Sequence, residues 1–156
     1  MFRLMTAVVM AVGLAAPVMA QSAGTTNMDI LRQKVKADKK LVVAQNLNLT
    51  DAEGKTFWPV YDAYQTELQK INERLATAIL AYADAYNKGA VANDVAKKLL
   101  DESLAIDAAE AAAKTALVPK VMAVLPATKA ARYIQIENKI RAAVRYELAA
   151  NIPLVQ

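Results

Sequence analysis

The stretch TDAEGKTFWPVYDAYQTELQKINERLATAILAYADAYNKG, running from Thr50 to Gly89, decides how this chain folds. Thr50-Asp51-Ala52-Glu53 is a capping box, in which the Thr and Glu side chains each satisfy a backbone donor that the first helical turn leaves orphaned. Behind it, Phe57, Tyr61, Tyr64, Leu68, Ile71, Leu75, Ile79, Tyr82 and Tyr86 recur at steps of three or four residues. That spacing draws one apolar seam along a single helix. Gly89 accepts the left-handed backbone that ends a helix without strain. The reading predicts a helix from Asp51 to Asn87, about 55 Å long at 1.5 Å per residue.

A second long helix is predicted from Asn93-Asp94 to about Leu125, with Val95, Leu99, Ile106, Ala113, Leu117 and Val121 on its main face. Leu100, Leu104, Ala108, Val118 and Met122 widen that face, so this helix is expected to touch neighbours on more than one side. Pro59 and Pro119 are equidistant in sequence from Gly89 and fall at one level of an antiparallel pair, each removing a helical hydrogen bond. The expected shape is all-α: an elongated, curved antiparallel helical hairpin flanked by N- and C-terminal helices, about four helices in all.

Pro126 opens the last helix, where a missing N–H costs little. Tyr133, Ile136, Ile140 and Val144 share its apolar face, with Glu147 in the same arc and Glu137 at the edge. A buried carboxylate there calls for a Lys or Arg from another helix, because an unpaired buried charge is costly. Helix-end fraying near Ile152-Pro153 is the cheaper solution for Glu147. Ile134 and Tyr146 lie opposite and suggest a second contact surface.

At the other end, Met1-Phe2-Arg3, the apolar run Leu4 to Ala16 and the small-residue pattern Val18-Met19-Ala20 have the form of a signal peptide cleaved after Ala20. Gln21 to Thr26 reads as a flexible leader, and residues 27–156 as a single helical domain. A first helix is expected from Asn27 to about Asn46, with Met28, Leu31, Val35 and Val42 on its apolar face. Arg32, Lys34, Lys36, Lys39 and Lys40 occupy the others, read first as a solvated surface and second as a basic rim. Leu47-Asn48-Leu49 is expected to be a connector.

The 156-residue chain contains no His and no Cys and carries a formal net charge of +4. Disulfides, Ser-His or Cys-His nucleophiles and the usual His- or Cys-bearing metal sites are therefore excluded. The charge is too small for a dedicated nucleic-acid binder. Asp101, Glu102, Asp107 and Glu110 read as a solvated acidic face with Glu110 and Lys114 as an i, i+4 pair. Neither catalysis nor a cofactor is expected.

Leu49-Thr50-Asp51-Ala52-Glu53 followed by Phe57-Trp58-Pro59-Val60-Tyr61-Asp62-Ala63-Tyr64 resembles the hairpin opening of small exported bacterial helical proteins related to the Spy/CpxP (LTxxQ) group. The stretch from Ala131 to Ile140, continuing into Val144-Arg145-Tyr146-Glu147-Leu148, is similar to the closing helix of a functionally unassigned subgroup. Glu53 stands where LTxxQ has Gln, and Leu125-Pro126-Ala127-Thr128-Lys129 replaces the later repeat. The resemblance implies a curved, often dimeric helical cradle in the periplasm. Its implied roles are ATP-independent binding of unfolded proteins or damping of an envelope-stress sensor.

The expected function is a periplasmic, non-catalytic binding protein, chaperone-like or a stress adaptor. It would capture unfolded or acidic protein segments or a sensor-protein domain, with homodimerisation and peripheral membrane contact as further expectations. Arg32, Lys36, Lys39, Arg132, Lys139 and Arg145 would steer encounter, and apolar surface near Trp58 would supply contact. Packing beneath another helix is the expected fate of Trp58 itself. The alternative is a structural envelope-associated protein binding anionic lipid or cell-wall polymer.

Overall fold

A computed structural model describes residues 38–155 of the chain. The predicted signal peptide and leader, together with Arg32 and Lys36, lie outside the described residues. Helix α1 covers 38–47, α2 Asp51–Asn87, α3 Asn93–Met122 and α4 Ala127–Asn151. The described residues form an all-helical fold without strands.

α2 begins and ends where its sequence predicts. The Thr50 hydroxyl accepts from the Glu53 N–H, and the Glu53 carboxylate accepts from the Thr50 N–H at 2.8 Å. Lys129 reaches the same carboxylate from α4 at 2.6 Å and bonds the Asn48 carbonyl at 3.0 Å. These bonds, Lys129's first, hold the Glu53 carboxyl below its ordinary pKa. They also fasten the α1–α2 turn to the first turns of α4. Within that turn Asn48 adopts a φ of 47°, the left-handed conformation that Asn tolerates better than most residues. At the other end of α2, Gly89 supplies a φ of 125°.

The core gathers at the end of the hairpin remote from Gly89. Phe57, Tyr61 and Tyr64 of α2 pack there with Leu117 and Val121 of α3, Leu125 just before α4, Ala130 and Tyr133 of α4, and Val43 and Leu47 of α1. Phe57 and Tyr133 meet edge to face with ring centroids 4.9 Å apart, a favoured arrangement of ring quadrupoles. Pro59 and Pro119 both lie inside helices next to this cluster. Further along the hairpin, Ile71, Val91 and Ile106 are buried, and Arg74 forks onto Glu102 at 2.9 and 3.1 Å. Near the tip, the Tyr82 hydroxyl donates to the Pro153 carbonyl at 3.0 Å, tying the end of the described chain to α2.

Three expectations are corrected. α3 ends at Met122, not near Leu125. The residue before a proline is driven out of the helical region, and the N–H groups of Val124 and Leu125 fold back onto the Val121 carbonyl at 3.1 and 2.9 Å. α3 does meet two neighbours, α2 and α4, but not through the flank read for it: Leu100, Leu104, Ala108, Val118 and Met122 are all exposed. α4 packs on the other side of the helix instead. Finally, Ile134 packs against the core, so only Tyr146 of the pair expected on the far side of α4 stands in solvent.

The seam makes a direct prediction. Ile71 is buried, whereas Leu80 is 51 % exposed. Ile71→Asp should cost about 3 kcal/mol or more by burying an unpaired carboxylate, while Leu80→Asp should cost under about 1 kcal/mol. Urea unfolding followed by circular dichroism measures both.

Candidate functional site

Two clefts flank α1, and each contains residues singled out in the sequence. One is lined by Ala44, Leu49, Thr50, Asp51, Gly54, Lys55 and Trp58. The other is lined by Asn46 of α1 and by Thr128, Ala131, Arg132, Gln135, Ile136 and Lys139 of α4. Between the clefts runs a polar seam that fixes α1 in place.

At the centre of that seam is Glu137, 5 % exposed although it is a carboxylate. Lys39 Nζ donates to its Oε2 at 2.8 Å, and Gln65 Nε2 donates to its Oε1 at 3.0 Å. Lys39 also donates to Gln65 Oε1 at 2.8 Å. Three helices thus close a three-membered polar ring, with one residue each from α1, α2 and α4. The expected cationic partner for Glu137 exists, and it is Lys39. Glu147, by contrast, is exposed on the last turns of α4.

Lys40 works beside Lys39. Its ammonium donates to both Asp62 oxygens, at 2.9 and 3.1 Å, and stands 4.9 Å from the centroid of the Trp58 ring. Such a geometry adds cation–π attraction to the ion pair. Trp58 is half-buried, edge-on to Phe57 and Tyr61. Gly54 lies one turn before it, where an added Cβ would come 3.4 Å from the indole nitrogen. Packing under α1 therefore uses much of the Trp58 surface, as the sequence reading expected.

Of the basic residues expected on α1, the two described, Lys39 and Lys40, are not free: Lys39 reaches inward to Glu137, and Lys40, its side chain 41 % exposed, pairs with Asp62 at the surface. Val43 and Leu47 are buried, and Val42 is exposed. Leu47 closes the helix and is not part of a connector. A shift of one residue rotates a helical face by roughly 100°. Asp62 and Glu137 decide the phase: lysine stems bury well when the ammonium ends on a carboxylate.

Burial raises the Tyr64 hydroxyl to about 12 and drives the Tyr61 and Tyr133 hydroxyls higher, with the Glu137 charge adding to each effect. These tyrosines are neutral packing residues at physiological pH. The Tyr133 hydroxyl, buried near Glu137, makes no hydrogen bond of normal geometry among the described residues.

A second charged cluster joins α3 to α4. Glu110 receives Arg141 Nε at 3.0 Å and Arg145 Nη2 at 2.8 Å, and Arg145 also pairs with Asp107. Arg141 reaches across to Asn72 of α2 at 2.9 Å. Burial, followed by the neighbouring Arg145, makes the Arg141 guanidinium a stronger acid than usual. The expected solvated acidic face is thus largely an interhelical clamp, with Glu110 joined to two arginines in place of the expected Lys114. Arginine's fork reaches two acceptors at once, which a lysine one turn away on the same helix does not.

Of the residues proposed to meet a partner, Lys39 and Arg145 are engaged within the fold. Arg132 and Lys139 are exposed and form no ion pair among the described residues. They sit seven residues apart on α4, about 10 Å along its axis. Gln135 lies between them, and Tyr146, 73 % exposed, continues the same stripe. Sequence reading missed Gln135, although its spacing from Arg132 and Lys139 was visible.

Among the described residues there is no group of three His, Cys, Asp or Glu side chains that could hold a metal ion. None of their helices is long and apolar enough to cross a membrane. Compared with family models, curated proteins and solved structures, the chain matches none.

The clamp can be tested apart from the cleft. Glu110→Ala, which strands the half-buried Arg141, should cost about 2–4 kcal/mol. Lys114→Ala should cost under about 0.5 kcal/mol. Denaturant midpoints of the two variants decide between the interhelical pairing and the local one.

Proposed function

We propose that this protein is a non-catalytic binding module of the periplasm that captures acidic, partly unfolded protein segments on the outer stripe of α4. The observation that carries this reading is the set Arg132, Gln135, Lys139 and Tyr146 on one exposed face, bordered by the Asn46–Ile136 cleft. Its two cations are free of internal carboxylates among the described residues, so binding an acidic segment breaks no existing ion pair. Gln135 and Asn46 can both donate and accept backbone hydrogen bonds. Tyr146 and Ile136 offer apolar contact to a chain that has lost its own core.

The form of residues 1–20 supports export, and the likeness of Leu49 to Tyr64 to the Spy/CpxP group supports a chaperone-like or stress-adaptor role. Both belong to this proposal. Other partner surfaces are less suited to the task. Lys39 is committed to Glu137, and Arg145 to Asp107 and Glu110.

The test is suppression of aggregation of a chemically reduced acidic client protein, followed by light scattering, with anionic vesicles as a parallel ligand. The purified protein should suppress scattering near equimolar ratio, and Arg132→Glu combined with Lys139→Glu should require about tenfold more protein for the same effect. Residual suppression should survive moderate salt, which screens exposed charges but not apolar contact. Absence of suppression, or full activity in the charge-reversed variant, would overturn the reading. Vesicle binding without client protection would favour an envelope-associated structural protein.

A further inference from the structure

The cleft beside Trp58 shares no residue with the α4 stripe, and Gly54 is the unexpected residue in it. Glycine is among the poorest choices for a helix interior. No backbone requirement explains it here, because of the two glycines described only Gly89 has a positive φ. No neighbouring helix presses on Gly54 either. A Cβ added there would meet Trp58 alone, 3.4 Å from Nε1 and 3.7 Å from Cδ1 of the indole. What the missing methyl leaves open is therefore the N–H edge of that ring. The N–H donates to no acceptor among the described residues, while the Lys40 ammonium stands 4.9 Å from the ring centroid.

Two opposite charges share the cleft with the indole. Asp51, Lys55 and Trp58 fall within about 60° of one another around α2 at 100° per residue, and all three line the cleft, with Ala44 and Leu49 on its apolar side. Opposite charges four residues apart ordinarily pair on a helix. Asp84 with Lys88, Asp94 with Lys98, and Lys97 with Asp101 all do so here. Asp51 and Lys55 do not: each is exposed and without an ion pair among the described residues. One helical turn, about 6 Å along the axis, separates their backbone positions.

We propose that this cleft binds a small zwitterion, a free α-amino acid or a short peptide with both termini free. Its carboxylate takes the Lys55 ammonium and the Trp58 N–H, its ammonium takes the Asp51 carboxylate, and an apolar side chain lies against Ala44 and Leu49. An indole N–H only donates, so the ligand must bring an acceptor to it. Charge-assisted bonds are the strong ones, and a ligand with both charges forms one at each end of the cleft. A simple anion would leave Asp51 unmatched, and a neutral amide would match neither charge. The assignment does not rest on client capture at α4.

Trp58 is the chain's one tryptophan, so its fluorescence reports on the cleft directly. Titration with leucine and with the dipeptide leucyl-leucine should give a saturable emission change, and the tighter of the two identifies free amino acid or peptide as the source. N-acetyl-leucinamide, which has neither charge, should give none. Lys55→Gln and Asp51→Asn should each weaken binding about tenfold. Gly54→Ala should weaken it about tenfold as well, while raising the melting temperature, which separates loss of the site from loss of the fold. Arg132→Glu combined with Lys139→Glu should leave the titration unchanged, so that the cleft and the capture surface are read apart. No emission change with either zwitterion overturns the proposal. So does an equal response to N-acetyl-leucinamide, or undiminished binding in Gly54→Ala and Lys55→Gln.

Discussion

One polar ring holds α1, α2 and α4 in register: Lys39, Gln65 and Glu137, each bonded to the other two. Burying a carboxylate costs several kcal/mol unless its charge is matched and its lone pairs are filled. Here both needs are met by residues from two other helices. Among its described residues, α1 offers few large apolar groups to the core, chiefly Val43 and Leu47. Its orientation therefore depends on where its lysines find carboxylates. With α1 fixed, Trp58 is covered by Lys40, and Asn46 comes to border the cleft that contains Arg132 and Lys139.

A buried ion pair is weak evidence of net stability, since a well-packed apolar substitute often does as well. Its effect here is to select one arrangement. Rotating α1 to bury Val42 would separate Lys39 from Glu137 and strand a charge. The Glu110, Arg141 and Arg145 cluster plays the corresponding part between α3 and α4, and Lys129 does so at the α1–α2 turn. Three charged contacts thus position α4, whose outer stripe is the proposed capture surface and whose placement leaves the far face of α3 open.

The hairpin was legible because its signals are local. Capping needs Thr50 and Glu53, three residues apart, and the seam from Phe57 to Tyr86 repeats within each turn; both survive into the structure. Long-range pairing was legible only in part. The position of Glu137 announced a missing cation, but its partner is 98 residues away in sequence, and nothing in α1 distinguished Lys39 from its neighbours. Glu110 shows the opposite error. A valid short-range rule pointed to Lys114, and a more distant arginine with better geometry prevailed. On α3, apolar composition predicted burial of Leu100, Leu104, Val118 and Met122, whereas α2 and α4 take other sides of the helix and leave these four exposed.

The most direct test of the ring is a double-mutant cycle on Lys39→Met and Glu137→Leu, read by urea unfolding. Lys39→Met leaves Glu137 buried and uncompensated and should cost about 3–5 kcal/mol. Glu137→Leu should cost less, because the Lys39 side chain is 20 % exposed and its ammonium can turn to water. The double variant should recover to within about 1 kcal/mol of the parent. Losses that simply add, or a Lys39→Met variant as stable as the parent, would contradict the claim that this ring sets the position of α1.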